Sequence, residues 1–216
     1  MRCVKKKVGY KAAELIEHGM RVGIGTGSTV FFFIERLIQR FQEGLVISTF
    51  SSSLASEKLL RAGGIPLLTE MTELDISVDG ADEIDPQKRM IKGGGGALFR
   101  EKIMANASLK RIVIVDESKC VPRLGKHPLP VEITPYAHTS IIHKINLAGY
   151  QGHLRPSLTD NKNYIYDIHF DTLRTHPELD DEKLLHIPGV IETGFFFNLA
   201  TKVLVGYENG EVKCLS

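Results

Sequence analysis

The stretches Ser77-Val-Asp-Gly-Ala-Asp-Glu-Ile-Asp85 and Ile91-Lys-Gly-Gly-Gly-Gly-Ala-Leu-Phe-Arg-Glu-Lys102 connect a short apolar strand pattern to a helix through acids and glycines. Four consecutive glycines lose the most backbone entropy on folding, so a chain keeps them where its backbone must approach something closely. Carboxylates, a lysine and amide N–H groups lie together in this stretch. Their combination favours a site for proton transfer on an anionic small molecule.

Strand and helix patterns alternate on both sides of this stretch through the first half of the chain. The predicted helices cover residues 11–18, 30–41, 55–62 and 97–107, and the predicted strands cover residues 21–25, 45–50, 65–68, 76–78 and 111–116. Strands that alternate with helices pair in parallel, with helices on both faces of the sheet. The first half therefore predicts an α/β domain with a mostly parallel sheet.

The pattern changes in the second half of the chain. The predicted strands cover residues 129–134, 153–159, 164–170 and 190–197, and the predicted helices cover residues 137–148 and 179–186. This β-α-β-β-α-β order is that of a ferredoxin-like unit. A final hairpin over residues 202–207 and 211–215 is predicted because Asn209-Gly210 favours a tight turn. Bends at Gly125 and Pro128 join the two parts, so we expect two domains.

The composition is that of an ordinary globular protein, with 216 residues, 43% hydrophobic and 25% charged. A net charge of +1 gives no field that suggests a nucleic acid or a membrane as partner. The basic run Lys5-Lys6-Lys7 is either a solvated first helical turn or a phosphate contact. The apolar runs are too short to span a bilayer and the N-terminus has no signal-peptide pattern, so we expect a cytoplasmic protein.

The three cysteines, Cys3, Cys120 and Cys214, are far apart and form no C-x-x-C motif. An odd number with this spacing is neither a disulfide framework nor a zinc site, and it favours a reducing compartment. Cys120 follows Lys119, which places it near a possible pocket, but an incidental thiol is the preferred interpretation.

The segment Gly23-Ile-Gly25-Thr-Gly27-Ser28-Thr29 connects a predicted strand to a predicted helix. Free N–H groups at a helix N-terminus attract anions, and Ser28 and Thr29 add hydroxyl groups that could also cap the helix. The dinucleotide pattern fails because Ser28 stands in place of its third glycine, and no Walker lysine follows. The loop is therefore either a phosphate or hydroxyl site or a plain capped turn.

Four acids, Asp79, Asp82, Glu83 and Asp85, follow a predicted strand, and open α/β sheets bind ligands at the carboxyl ends of strands. Alone, the segment could also form a solvated turn or a divalent-metal loop, although it does not fit the EF-hand pattern. The nearby Lys92 disfavours a metal because it would compete for the carboxylates. Carboxylates close together raise the pKa of one of them, which suits general acid–base catalysis.

Lys92 and Glu101 flank the glycine run. A lysine beside several N–H groups would form a cradle for a phosphate or an oxyanion. Glu101 is either an exposed helical glutamate, since Arg100 and Lys102 flank it, or a general base aimed at the pocket that the glycines form.

The chain resembles the type A ribose-5-phosphate isomerases along essentially its whole length. Each matching motif is weak alone, but the set, which occurs in order, is specific. The motifs are Gly25-Thr26-Gly27-Ser28-Thr29, Ser51-Ser52-Ser53, Val78-Asp79-Gly80-Ala81-Asp82-Glu83, Lys92-Gly93-Gly94-Gly95, Arg100-Glu101-Lys102, Ser118-Lys119, Gly125-Lys126, Pro128-Leu129-Pro130-Val131-Glu132 and Ile187-Pro188-Gly189-Val190 with Gly194.

The resemblance implies an aldose–ketose isomerase of the non-oxidative pentose phosphate pathway, which interconverts D-ribose 5-phosphate and D-ribulose 5-phosphate without a metal or organic cofactor. It implies that Glu101 is the base that carries a proton between C1 and C2 through an enediolate. Asp79 and Asp82 would assist ring opening and proton transfer at the oxygens. Lys92 and the amides of residues 93–95 would hold the developing negative charge.

The same resemblance implies a binding site for the sugar phosphate, with Lys5 as a further phosphate contact. The implied substrate-binding residues are Thr26, Gly27, Ser28, Thr29, Asp79, Gly80, Ala81, Asp82, Lys92, Gly93, Gly94, Gly95 and Lys119. Residues 1–127 and 200–216 would form a Rossmann-like domain, completed by the final hairpin, with a ferredoxin-like domain over residues 128–199 inserted. Members of the family are usually homodimers or homotetramers.

Two positions depart from the family pattern. Phe99 stands where a threonine is usual, and Gly96 extends the glycine run where alanine is common. Both could alter the wall of the pocket, and neither removes a catalytic group. They put substrate preference in doubt more than activity.

Two competing functions come from different classes of protein. One is another enzyme of the same broad fold group, either a sugar-phosphate deaminase or a CoA transferase with a glutamate nucleophile. The other is a sugar-phosphate-sensing regulatory domain, but the chain has no basic recognition helix and no spare length for one.

Overall fold

The computed structural model of the protein describes residues 1–215, which form six α-helices and thirteen strands. The helices are α1 Arg2–Ala13, α2 Ser28–Gln42, α3 Leu54–Ala62, α4 Leu98–Asn106, α5 His138–Leu147 and α6 Pro177–Leu185. The strands are β1 Arg21–Ile24, β2 Ser48–Ser51, β3 Leu74–Asp79, β4 Glu83–Ile84, β5 Met90–Ile91, β6 Ser108–Asp116, β7 Leu129–Ile133, β8 Gln151–Leu154, β9 Tyr164–His169, β10 Val190–Thr193, β11 Phe195–Phe196, β12 Lys202–Gly206 and β13 Val212–Leu215.

The first of two compact units contains residues 1–81, 100–120 and the described chain from residue 199 onward. Its six-stranded sheet has the order β13-β12-β6-β3-β1-β2, and every pairing is parallel except that of β12 with β13. The predicted α/β fold with a mostly parallel sheet is confirmed. The final hairpin joins this sheet through β12, which lies beside β6.

The core of the first unit forms where helices α1 and α2 pack against the sheet. Phe33 and Leu37 of α2 are fully buried, as are Val8 and Ala12 of α1. At the apolar start of α2, Val30, Phe32 and Ile34 are buried as well, whereas Phe31 is 42% exposed.

Residues 82–99 and 121–198 form the second unit. Its four-stranded antiparallel sheet has the order β10-β7-β9-β8, the strand order of a ferredoxin-like unit, with helices α5 and α6 in the expected places along the chain. A second, three-stranded sheet has the order β11-β5-β4. Strands β4 and β5 were not predicted, because each has only two residues, which is too short to show a periodic pattern.

The predicted strand over residues 190–197 is wrong as a single element. Gly194 divides it into β10 and β11, which belong to different sheets. The backbone of Gly194 donates to the carbonyl oxygen of Pro130 at 2.7 Å and accepts from the amide of Lys92 at 2.9 Å. A Cβ atom at this position would lie 2.4 Å from the Lys92 carbonyl oxygen, so the crossing between the sheets requires glycine.

The first predicted helix, over residues 11–18, is wrong in position, because α1 already ends at Ala13. Gly9 lowers the helical propensity of the true helix and hid it. The glycine is required by packing, since a Cβ atom at this position would lie 2.6 Å from the backbone nitrogen of Phe33 in α2.

Two further predictions fail beside prolines. The strand predicted over residues 65–68 is reduced to one bridge between Leu67 and Thr49, and Pro66 has no N–H with which to extend it. The strand predicted over residues 153–159 ends at Leu154, two residues before Pro156.

Candidate active site

Asp79 lies at the end of β3, next to the glycine loop that follows β1. The two strands pair in parallel, with Ile24 opposite Val78, so their carboxyl ends meet at one edge of the sheet. Oδ1 of Asp79 accepts from the amides of Thr26 at 3.2 Å and Gly80 at 2.7 Å. The side chain is buried, and these two donors hold its carboxyl group in a fixed orientation.

The glycine loop ends at helix α2. Gly27 is the N-cap residue, with a φ of 118°, and it precedes Ser28 and the buried Thr29. No side chain caps this helix, so the capping role suggested for Ser28 or Thr29 is wrong. Backbone N–H groups at such a terminus favour an anion.

The three lysines of the basic run point to different partners. Lys5 donates to Oγ of Ser28 at 2.9 Å, which brings it to the start of α2. Lys6 pairs with Glu35 at 3.3 Å, and Lys7 donates to the carbonyl oxygen of Gly210. Only Lys5 of the three therefore has a contact at the candidate site in the described chain.

The three serines after β2 hold helix α3 against the glycine loop. Ser53 caps α3 by accepting from the amide of Ser56 at 3.2 Å. Oγ of Ser56 then donates to the carbonyl oxygen of Gly25 at 2.7 Å. These bonds fix the loop beside Asp79 from a second helix.

Glu101 lies in the first turn of α4 and is only 3% exposed. The interpretation of this residue as an exposed helical glutamate is wrong. Arg100 and Lys102, its neighbours, are each half-buried. A buried carboxylate in the first turn of a helix is stabilised by the helix dipole.

Lys119 ends a short 3-10 turn, Glu117–Lys119, that follows β6. Because β6 pairs with β3, with Val113 opposite Asp79, this turn lies at the same edge of the sheet as the glycine loop. Lys119 is half-buried, and the turn is held by Asp116, which accepts from the amide of Ser118.

In the second unit, Lys92 is buried at 5% exposure, and its Nζ atom lies 5.3 Å from the centroid of the Phe196 ring. Asp82 accepts from the amide of Gly94 at 2.7 Å, so the structure brings together these two predicted site residues. The amide of Gly96 donates to the carbonyl oxygen of Gly93. The amides of Gly94 and Gly96 are thus directed to protein acceptors, whereas the sequence suggested a run of bare N–H groups.

Glu83 and Asp85 are buried and hold turns together. Glu83 accepts from the amides of Gly125 at 2.8 Å and His127 at 2.5 Å. Asp85 accepts from the amide of Arg89 at 3.0 Å and from its Nε at 2.7 Å. The solvated-turn interpretation of residues 79–83 is therefore wrong for Glu83.

Gly96 is one of the two departures from the family pattern, and the backbone conformation at this position favours glycine. Its φ is +79°, which favours glycine, although a Cβ atom there would meet only the Ile165 side chain at 3.8 Å. Phe99, the other departure, is half-buried.

Sequence reasoning missed Arg155. Its guanidinium donates to the carbonyl oxygens of Gly93 at 3.0 Å and Gly94 at 3.2 Å, and it forms a two-bond pair with Asp167. No local pattern marks Arg155, since it contacts the glycine run across a separation of 62 residues.

Within residues 1–215, no group of three or more His, Cys, Asp or Glu side chains is arranged to hold a metal ion. In the same part of the chain, none of the helices combines the length and apolar character that a membrane crossing requires.

The comparisons with known proteins agree with one another. Residues 48–210 match the family described as ribose 5-phosphate isomerase A (phosphoriboisomerase A). Ribose-5-phosphate isomerase A of Protochlamydia amoebophila (strain UWE25) is 46% identical, and the alignment covers 98% of this chain and 95% of that protein.

Two solved structures have the same fold. Ribose 5-phosphate isomerase from Plasmodium falciparum superposes with a TM-score of 0.95 at 35% identity, covering 100% of this chain and 99% of that one. A D-ribose-5-phosphate isomerase in complex with phospho-erythronic acid superposes with a TM-score of 0.93 at 37% identity, covering 99% and 97%.

Proposed function

This chain belongs to the ribose 5-phosphate isomerase A family and interconverts ribose 5-phosphate and ribulose 5-phosphate, and we propose that it does so through an enediolate with Glu101 as the base. The observation that carries the proposal is the burial of Glu101 at 3% exposure in the first turn of α4. A carboxylate removed from water and fixed by a helix has a defined direction in which to accept a proton.

The proposed reaction is a proton shift that changes no net oxidation state. In the open-chain aldose, the base removes the proton from C2, and the electron pair forms the C1–C2 double bond while the C1 carbonyl becomes an enediolate oxygen. The proton then returns to C1, and the hydroxyl proton on O2 moves to O1, which leaves a carbonyl at C2. A positioned base contributes about 10²–10⁴ in rate to such a step.

Asp79 and Asp82 are proposed to move protons at the sugar oxygens, including the ring opening that precedes the shift. Support comes from the backbone amides that hold each carboxylate in a fixed orientation. Asp79 accepts from the amides of Thr26 and Gly80, and Asp82 accepts from the amide of Gly94. Such an arrangement limits the reorganisation that proton transfer would otherwise require.

Lys92 is proposed to stabilise the enediolate oxygen together with amides of the glycine run. Its burial beside the Phe196 ring supports this role, because a cation acts more strongly on developing charge where water is excluded. A single donor of this kind contributes about 10²–10³ in kcat.

The phosphate of the substrate is proposed to bind at the start of α2, with Lys5 and Lys119 as cations. The amides at this helix terminus and the contact of Lys5 with Ser28 support the assignment. Phosphate groups bind helix N-termini because the dipole and the N–H groups both favour negative charge.

We propose a homodimer or homotetramer, as family members usually are, and a cytoplasmic location. Tyr136 and Leu147 of the second unit are exposed apolar side chains that such an interface could cover. Light scattering of the purified protein measures the mass directly. The free thiols of Cys3, Cys120 and Cys214 support a reducing compartment.

The test of the proposed base is isomerisation of ribose 5-phosphate by wild type and by Glu101→Gln, both with EDTA present. We expect ketose from wild type and a fall of at least 10³ in kcat for the variant. Glu57→Gln is the matched control, since Glu57 also lies in the first turn of a helix and pairs with exposed Arg61. Activity of Glu101→Gln close to wild type would remove the assignment.

A second measurement addresses the enediolate. The reaction is run in D2O to low conversion, and both sugar phosphates are analysed by NMR. Deuterium at C1 of the ketose is expected, because the abstracted proton exchanges with solvent while it resides on the carboxyl group. Complete absence of deuterium from product and recovered substrate would favour a direct hydride shift.

A further inference from the structure

Arg155 and Asp167 form a two-bond pair beside the glycine run in the second unit. Nε of Arg155 donates to Oδ2 of Asp167 at 2.5 Å, and a terminal nitrogen donates to Oδ1 at 2.7 Å. The remaining terminal nitrogen donates to the carbonyl oxygens of Gly93 at 3.0 Å and Gly94 at 3.2 Å. Asp167 is 6% exposed, so the guanidinium is held in place from the protein interior.

These contacts fix one peptide group from both sides. The carbonyl of Gly93 and the N–H of Gly94 belong to the same planar unit and point in opposite directions. Arg155 binds the carbonyl end, and Asp82 accepts from the N–H end at 2.7 Å. Rotation of this peptide would break a charge-assisted hydrogen bond at each end.

The next peptide group is held in the same way at one end. Arg155 binds the carbonyl oxygen of Gly94, which determines the direction of the N–H of Gly95. Glycine peptides rotate more easily than others because no Cβ atom restricts them, and Gly93 already has a φ of +102°. If the amides of the glycine run are to bind the substrate, side chains from outside the run must fix the orientation of its peptide groups.

We propose that Arg155, held by Asp167, is a positioning residue that fixes the peptides of Gly93 and Gly94, and through them the amide of Gly95 and the carboxylate of Asp82. The inference rests on the proposed function, in which these groups act on the sugar oxygens. A lysine cannot replace Arg155, because one ammonium cannot bind a carboxylate at two points and reach two carbonyl groups.

The test compares Arg155→Lys with Arg174→Lys. Arg174 is a matched control in the same unit, because it also forms a two-bond pair with a buried aspartate, Asp180, at 2.7 Å for each bond. We expect Arg155→Lys to lower kcat at least tenfold with little change in the dissociation constant of inorganic phosphate. Arg174→Lys is expected to change thermal stability without lowering kcat.

Binding of phospho-erythronic acid supplies a readout that a merely structural role would not move. Its carboxylate lies at the opposite end of the molecule from its phosphate, as the reacting carbons do in ribose 5-phosphate. We therefore expect its dissociation constant to rise at least fivefold in Arg155→Lys relative to that of inorganic phosphate. If Arg155→Lys does not fold, Asp167→Asn is used, since it keeps Arg155 and removes the charge that holds it.

Wild-type kcat and phospho-erythronic acid affinity in folded Arg155→Lys would overturn the inference, and so would an equal loss of kcat in Arg174→Lys. Failure of the proposed function has a different signature, because Glu101→Gln would then remain active whatever the Arg155 variants do.

Discussion

The side chain of Asp79 fills the space that any Cβ atom on residue 25 would need, since that atom would lie 1.9 Å from Oδ1 of Asp79. The bare backbone of Gly25 is thus what allows the carboxylate to bond to the amides of Thr26 and Gly80. A side chain at residue 25 and the observed position of the Asp79 carboxylate therefore exclude each other.

Gly25→Ala is therefore expected to displace Asp79 and to lower kcat at least tenfold. Steady-state isomerisation kinetics measure the effect. Gly80→Ala is the control for folding, because a Cβ atom there would meet only the Ile114 carbonyl oxygen at 3.8 Å, and its thermal midpoint should match that of wild type. A Gly25→Ala enzyme with the wild-type kcat would contradict this steric argument.

Lys92→Met keeps most of the side-chain volume and removes the charge. We expect kcat to fall at least tenfold, because the proposed enediolate would lose the buried cation that we assign to its oxygen. Folding should persist, since methionine packs well against the Phe196 ring. Circular dichroism and kinetics on the same preparation separate the two effects, and an unchanged kcat would remove Lys92 from the charge-stabilising role.

Lys5→Ala should raise KM at least fivefold with a smaller change in kcat, because it removes a cation from the proposed phosphate site while leaving the reacting carbons untouched. Lys6→Ala is the matched control, since Lys6 pairs with Glu35 instead. Equal KM values for the two variants would exclude a phosphate contact by Lys5.

Asp85→Ala is expected to lower the free energy of unfolding by about 2 kcal/mol, because it removes the buried acceptor of Arg89 Nε and of the amides of Gln87 and Arg89, while Arg89 keeps its bond to the exposed Glu178. Urea titration measures this loss. The kcat of the folded variant should remain that of wild type, since Asp85 holds a turn. A loss of stability below about 1 kcal/mol would show that the pair contributes little.

The pKa of the Cys120 thiol is raised by burial and by the nearby carboxylates of Asp116 and Glu117. At a given pH near 8, a smaller fraction of this thiol is therefore ionised than for a free cysteine, whose pKa is about 8.5. In a variant with Cys3→Ser and Cys214→Ser, the rate of reaction with a disulfide reagent should rise with pH through a midpoint above that value. A midpoint at or below it would contradict the predicted direction.

Patterns within short windows predicted most of the fold. Strand and helix alternation indicated the parallel sheet, and the motif order led to the family. The wrong bounds of α1 and the missed boundary between β10 and β11 have their causes in distant contacts. Gly9 is required by the backbone of Phe33, and Gly194 is required by the carbonyl oxygen of Lys92. Neither contact can be recognised from the neighbouring sequence.

The candidate site divides in the same way. Asp79, Asp82, Lys92 and Glu101 lie within motifs that can be recognised locally, but the sequence left open whether Glu101 is exposed, and the structure shows that it is buried. Arg155 carries no such signal, because its partners Gly93 and Asp167 become neighbours only after the second unit has folded.

The pairing of β12 with β6 also affects how the chain folds while it is being synthesised. Strand β6 is synthesised about 85 residues earlier than β12. At a translation rate of roughly 5–20 residues per second, the edge of β6 that pairs with β12 stays unpaired for on the order of ten seconds. During this interval the nascent chain presents an unpaired, apolar strand edge, which is a template for aggregation. Translation that stops before residue 202 would make this exposure permanent, so truncated products are expected to depend on chaperones far more than the full chain.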